Sequence, residues 1–323
     1  MNSSDQAVYI VGVGRSGTSL LMPLLNGHSQ IAFTPETHFL RFYLGSEAIR
    51  QQWEKRGPAV FQKALENDSY FQRLKISAAD LLAAYQAPGT FDLHEVYRDL
   101  LRRYLRRKGK QMIGDKDPRY IDYLEVLQQI YPQAKIIHIY RDPRDVTLSK
   151  MKAAWSAHRP YWMNAIISQM QITRGRDLGP QLFGDQYYEL SYESLVTQPE
   201  TTLTQLLAFL GYDYEASMLD LRASAEELVD PSEWQWKDNT FKPLLAENLE
   251  KWRRKLSPFQ VRCIEVICKE WFQRLDYQVS EKKVGLLQEN LLRSVFAFEG
   301  LQRLVYDRQL KAQMKKALAQ ISE

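Results

Sequence analysis

Arg15, Ser16, Thr18 and Ser19 stand among three glycines, Gly12, Gly14 and Gly17, directly after the apolar run Val8–Val11. The order reads as a buried strand, a tight turn and the opening of a helix. Glycine lets a backbone turn sharply and approach a ligand closely. The amides at a helix start face outward at the positive end of its dipole. With four side-chain donors added, this stretch is a cradle for a phosphate or a sulfate. It is not a standard triphosphate loop. Gly12 and Gly17 satisfy G-x-x-x-x-G, but Thr18 stands where the lysine that bridges β- and γ-phosphates would follow.

Two more cations fall at similar places. Lys116 ends the predicted strand that begins at Gln111 and opens the charged loop Lys116-Asp117-Pro118. Arg141 follows the buried strand Lys135–Tyr140 in Arg141-Asp142-Pro143-Arg144, where Asp142 suits a helix N-cap and Pro143 the first helical position. Glu36 projects from the loop Thr34-Pro35-Glu36-Thr37-His38, after a short predicted strand at Ile31–Phe33. Further elements are predicted helices at Thr18–Leu25, Tyr120–Ile130, Pro143 to about Lys152 and Pro199–Leu210, and a strand at Gln186–Leu190. Strands alternating with helices predict an α/β fold with a mainly parallel sheet. Ligands of such sheets bind at the carboxyl ends of the strands. Gly14–Thr18, Lys116 and Arg141 all lie at or just past strand ends, so they converge on one polyanion site.

The remaining chain supplies walls. Residues 45–110 are predicted mostly helical, broken at Gly57-Pro58 and Pro88-Gly89, and form a helical insertion that caps the acceptor side. The basic cluster Arg98–Lys110 overlays an apolar stripe of Tyr97, Leu100, Leu101, Tyr104 and Leu105, so it reads as the solvated face of an amphipathic helix. Ser257-Pro258 opens a helix to about Leu275. After residue 280 the spacing of Leu287, Leu291, Val295, Phe298, Leu301 and Val305 predicts a helical tail. Its apolar stripe is expected to pack on this chain or on a second copy, which allows a homo-oligomer through the C-terminal helices.

Composition bounds the classes. The chain has 323 residues, 45% hydrophobic and 25% charged, with a net charge of +4. That is ordinary for a globular protein with a large core. The mild positive excess suits an anionic ligand, and without a second basic or aromatic platform no nucleic-acid partner is expected. No run reaches the length of a transmembrane segment. No secretory leader is evident, and the two cysteines, Cys263 and Cys268, match neither a disulfide framework nor a metal or C-x-x-C site. A cytoplasmic location is expected. His28, His38, His94, His138 and His158 are scattered, and no metal-ligand cluster appears. His138 reads as a core residue and His28 as part of the first helix's end. That leaves His38 and His158 as candidates for the acceptor site.

In these segments the chain resembles the sulfotransferases that use 3′-phosphoadenosine 5′-phosphosulfate (PAPS), most closely the branch containing the protein-tyrosine sulfotransferases. Gly14-Arg15-Ser16-Gly17-Thr18-Ser19 is similar to that family's 5′-phosphosulfate loop. Arg141, with Ser149 eight positions later, resembles its 3′-phosphate element. Glu36, 21 residues after Arg15, matches the catalytic glutamate of the tyrosine-sulfating branch. Lys116 matches a lysine at the transferring group. Tyr192-Glu193-Ser194-Leu195 and Lys242-Pro243 resemble two segments that reach the nucleotide. The resemblance implies a P-loop-like three-layer α/β/α sulfotransferase domain over 1–280 and a C-terminal extension over 281–323. Two positions depart from the tyrosine-sulfating pattern: His38 and Ala153 replace arginines. Lys150 or Lys152 could supply the second lost charge. Where the cytosolic branch has a lysine in the first loop, this chain has Arg15.

Transfer of a sulfuryl group needs in-line positioning and neutralisation of a phosphate leaving group. The resemblance assigns this to the loop amides, Arg15, Thr18 and Lys116, with Glu36 as general base toward a hydroxyl acceptor and no metal required. The acceptor remains open among a small molecule, a lipid, a carbohydrate and a peptide. The product would be adenosine 3′,5′-bisphosphate (PAP). The competing readings are a magnesium-dependent nucleotide or nucleoside kinase and a non-catalytic nucleotide-binding protein.

Overall fold

In the computed structural model, which describes residues 6–228, 246–281 and 283–322, the apolar run Ala7–Gly12 forms strand β1, buried along its whole length. Its side chains alternate between two cores, as the period of a strand requires. Ala7, Tyr9 and Val11 enter one cluster, which also holds aromatic and aliphatic residues of the 45–110 region, Tyr97 and Leu100 among them. Val8 and Ile10 enter the other, with Leu21, Leu24 and Leu206. A sheet with a core on each face gives three layers, α/β/α.

Four more strands complete the sheet: β2 (Ile31–Phe33), β3 (Met112–Lys116), β4 (Lys135–Tyr140) and β5 (Tyr187–Ser191). The spatial order is β2-β3-β1-β4-β5, and every pairing is parallel. The chain leaves β1 toward the β2 side and leaves β4 toward the β5 side. Connections that diverge from adjacent strands open a crevice at their carboxyl ends. The register sets what faces it: Ile10 pairs with Lys116 and Gly12 with Ile139. The glycine loop, Lys116 and Arg141 therefore emerge side by side.

The helices used below are α1 (Thr18–Asn26), α2 (Glu47–Arg56), α3 (Leu93–Lys108), α4 (Pro143–Lys150), α5 (Tyr161–Phe183), α6 (Pro258–Ile267), α7 (Leu286–Phe296) and α8 (Glu299–Ser322). Asp142 caps α4 by accepting from the Arg144 amide, and Asp92 caps α3 by accepting from His94 and Glu95. The stripe Tyr97, Leu100, Leu101, Tyr104 and Leu105 is buried.

Several boundaries differ from the sequence expectations. Tyr120–Ile130 is two pieces, a 3₁₀ turn at Pro118–Asp122 and a helix at Leu124–Ile130. Asp117 accepts from the Arg119 amide and so starts the first turn early. The helix expected to run from Ser257 to Leu275 breaks at Cys268, the cap between α6 and a short helix at Lys269–Arg274. Helix α4 ends at Lys150 rather than Lys152. The tail helix α8 packs along α5 and α2. No helix of the described residues is long and apolar enough to cross a membrane.

Candidate active site

The glycine loop is held in an unusual backbone. Gly17 has φ +106, and a Cβ there would collide with the ring of Tyr192. Arg15 has φ +78, a left-handed conformation that side-chain-bearing residues seldom adopt. Strain of this kind survives where the surroundings over-determine it, and it clusters at functional loops. Here Arg15 Nε donates to Ser149 Oγ at 3.0 Å, tying the loop after β1 to the helix after β4.

Arg141 sits close enough to Arg15 to repel it. Burial first, and this like charge second, hold the Arg15 pKa below its ordinary value, against the opposing pull of Glu36 and Tyr192. The Arg141 guanidinium lies 4.3 Å from the Tyr192 ring centroid and donates to the Asn248 carbonyl. Asp145 is 3.7 Å from it and accepts from the Trp252 amide at 3.0 Å. Burial pushes the Asp145 pKa up to about 6 despite Arg141. Two polar atoms in this corner, Ser16 Oγ and Arg141 Nε, are buried without a hydrogen-bond partner among the described residues. Buried donors left unsatisfied in a cationic corner are what a bound anion would complete.

Next to the loop stands a carboxylate. Glu36 forms an ion pair with the fully buried Lys116, whose Nζ also donates to Ser19 Oγ at 3.3 Å. Lys116 therefore bridges the loop and the acid. On the other side, His38 Nδ1 is 2.6 Å from Asp117 Oδ2 and Nε2 is 3.8 Å from Glu36 Oε2. Burial would raise the Asp117 pKa, but the charges of His38 and Arg41 outweigh it and hold the group well below the usual carboxylate range. An ionised carboxylate only accepts, so the Nδ1 hydrogen of His38 is committed to Asp117. His38 also has φ +51, and its ring meets Tyr70 edge-on at 4.3 Å.

The loop that carries Glu36 is fixed by Asp115. This carboxylate is fully buried and accepts from Thr34 Oγ1 at 2.9 Å, Thr37 Oγ1 at 2.8 Å, Tyr97 at 2.7 Å, Tyr120 at 2.8 Å and the Lys116 amide at 2.8 Å. The expectations above did not single it out. The available signal was a charged residue inside an otherwise buried strand, which requires such partners.

Gly14, Arg15, Gly17, Thr18, Ser19, Glu36, His38, Arg141 and Tyr192 line one cavity of about 920 Å³. Lys116 joins it through Ser19 and Glu36, Ser149 through Arg15, and Ser16 as a buried loop residue. Lys242 lies outside the described residues. His158 is exposed and does not line the cavity, and His138 is buried against Tyr187. His28 bonds the Asp213 carbonyl at 3.0 Å. The far wall comes from Phe42, Tyr70, Arg119, Tyr123, Lys150, Arg159 and, from α8, Gln313 and Met314. The part played by α8 was not foreseen. No group of three or more potential metal ligands occurs among the described residues.

A parallel α/β sheet with a strand, glycine loop and helix at its crevice is a P-loop-like α/β/α fold. The model of the sulfotransferase family matches residues 7–216, and the chain belongs to that family. It is 25% identical over 293 residues to an uncharacterized protein of Aquifex aeolicus, covering 86% of this chain and 34% of that one. It is 24% identical over 294 residues to protein-tyrosine sulfotransferase 1 of Danio rerio, covering 85% and 73%. Of several further curated relatives the chain spans between 37% and 50% of the length. Among solved structures, the sulfotransferase domain of the Synechococcus PCC 7002 olefin synthase shares the fold, with a TM-score of 0.59, 21% identity and coverage of 92% of this chain and 96% of that one. The family match favours sulfuryl transfer over the kinase reading.

Proposed function

We propose that the protein moves the sulfuryl group of PAPS to the hydroxyl of an acceptor, with Glu36 as general base. The observation that carries this is the single chain of contacts from loop to base: Ser19, Lys116, Glu36, His38, Asp117. It puts a cation between the anion cradle and a carboxylate at the junction of the two halves of the cavity.

PAPS supplies an activated sulfuryl group on a phosphate leaving group. The residues present fit it. The cradle of Gly14–Ser19 would take the 5′-phosphosulfate, and Arg141 with Ser149 the 3′-phosphate. Tyr192, packed between Gly17 and Arg141, would border the nucleotide. Lys242 is assigned to the nucleotide on the resemblance alone.

The acceptor oxygen bonds to sulfur as its proton passes to a Glu36 oxygen, and the bond from sulfur to the phosphate oxygen breaks. The electron pair of that bond leaves with the phosphate. The loop amides, Arg15, Thr18 and Lys116 receive the charge, the kind of pre-aimed stabilisation that acts without reorganisation. Lys116 serves both ends. It pairs with Glu36 before transfer and faces the leaving group during it. Asp117 fixes His38, which keeps the second Glu36 oxygen oriented. Asp115 sets the position of the whole loop.

The test is transfer of ³⁵S from labelled PAPS to a panel of hydroxyl compounds without magnesium. Wild type transfers label, and Glu36→Gln binds PAP but does not transfer. Label transfer that persists in Glu36→Gln would remove Glu36 from the chemistry.

A further inference from the structure

The far end of the cavity carries more positive charge than the chain balances. Arg119 pairs with Asp122 and donates to Gln313 of α8 at 2.6 Å. Lys150, buried, donates to Ser168 Oγ at 2.8 Å. Its ammonium faces Arg119 and Arg159, with Asp122 as the group of opposite sign; burial raises the nearby Cys268 thiol pKa, so that group stays neutral. Arg159 is partly buried and makes no ion pair among the described residues; burial and the charge of Arg119 hold its pKa down. Asp122 is already engaged by Arg119, Gln171 and Tyr306. Arg119 has Asp122 and also feels Asp117, while Lys150 and Arg159 have no ion-pair partner among the described residues. On the sulfotransfer reading the nucleotide has its own cations, Arg15, Lys116 and Arg141, and does not account for these.

Clustered, partly desolvated like charges are costly unless something of opposite sign completes them. Within a low-dielectric cavity they also focus a field that draws an anion in. The same cavity also carries an apolar lining, with Phe42, Tyr70, Tyr123, Ile167 and Met314. We propose that the acceptor is an amphipathic hydroxy compound whose anionic group, a carboxylate, phosphate or sulfate, binds Arg119, Lys150 and Arg159 while its hydroxyl meets Glu36. The position of the hydroxyl rests on the sulfotransfer reading above; the anion subsite does not.

The test uses the full chain saturated with PAP. Calorimetry compares 4-hydroxyphenylpropionate with its amide, and 12-hydroxydodecanoate with its amide and with 12-hydroxydodecyl phosphate. An anionic probe is expected to bind about tenfold tighter than its neutral partner at low salt, and the carboxylate and phosphate arms show which acid fits. Arg159→Ala should shrink the ratio to less than about threefold, and Arg159→Lys, which keeps the charge, should restore most of it. PAP affinity, read separately, reports that both variants are folded. Equal binding of acid and amide, no binding of any probe, or a ratio unmoved in Arg159→Ala would overturn the subsite. Preference for the acid without any ³⁵S transfer from PAPS would support the subsite and count against the sulfotransfer reading.

Discussion

The two ends of the cavity are built by different means. The end proposed for the nucleotide is made of strand termini: the loop after β1, Lys116 at the end of β3 and Arg141 after β4. Each is placed by the register of a parallel sheet, and their contacts are local to the crevice. The end proposed for the acceptor is made of insertions and tail: Phe42 and Tyr70 from before α3, Arg119 from a 3₁₀ turn, Arg159 from the approach to α5 and Gln313 from α8. The sheet fixes where the glycine loop, Lys116 and Arg141 gather. The wall opposite is free to differ without disturbing the sheet.

Four substitutions separate the two ends, ordered by size of effect. Glu36→Gln, at the junction, should lower kcat by about 10²–10⁴-fold while PAP binding stays, as expected for loss of a general base; steady-state kinetics and calorimetry read the two. Asp115→Ala should cost about 3–4 kcal/mol of stability, because it leaves two threonine hydroxyls, two phenols and an amide short of a buried acceptor. Urea unfolding measures it, and a cost under about 1 kcal/mol would show that water replaces the carboxylate.

Lys150→Met acts at the acceptor end and should stabilise the protein by about 1–3 kcal/mol near neutral pH, by removing a buried ammonium. The effect has a pH signature. Burial, with Arg119 and Arg159, brings the Lys150 pKa down from 10.5 to about 7. Below about pH 7 both folded and unfolded chains hold the proton, and the folded one carries the full penalty. Between there and 10.5 the unfolded chain binds the proton that the folded one has lost, so wild-type stability rises with pH. The gap between wild type and Lys150→Met should therefore shrink over that window; a gap independent of pH would place the ammonium in solvent. Tyr306→Phe is the mildest. It removes the α8 hydroxyl that donates to Asp122 and should cost about 1–2 kcal/mol. It should raise the acceptor KM and leave PAP affinity alone, and a change in PAP affinity instead would merge the two ends.

The difference between the ends also explains what the sequence revealed. The strand–loop–helix at Val8–Leu21 and the strand ends at Lys116 and Arg141 are local patterns, so fold class and nucleotide-side candidates were legible. Glu36 was visible only because the resemblance marked it, since an acid after a proline has ordinary explanations. Asp115 needed four side-chain partners from three separate segments to become meaningful. The α8 contribution depends on a hydrogen bond between residues 184 apart, Tyr306 and Asp122. A stripe of leucines in a tail says that it packs, but not on what. His38 was noticed as a departure from the family pattern, yet its pairing with Asp117 required the fold to bring two loops together.

The central claim is that the glycine loop, Arg141 and Ser149 form one nucleotide site beside Glu36. Calorimetric titration of PAP without magnesium into wild type, Glu36→Gln and Arg141→Ala tests it most directly. The account predicts equal binding in the first two and affinity weaker by about 100-fold in the third, the loss expected for a charge-assisted phosphate contact. PAP binding that requires magnesium, or that Arg141→Ala leaves unchanged, would contradict it.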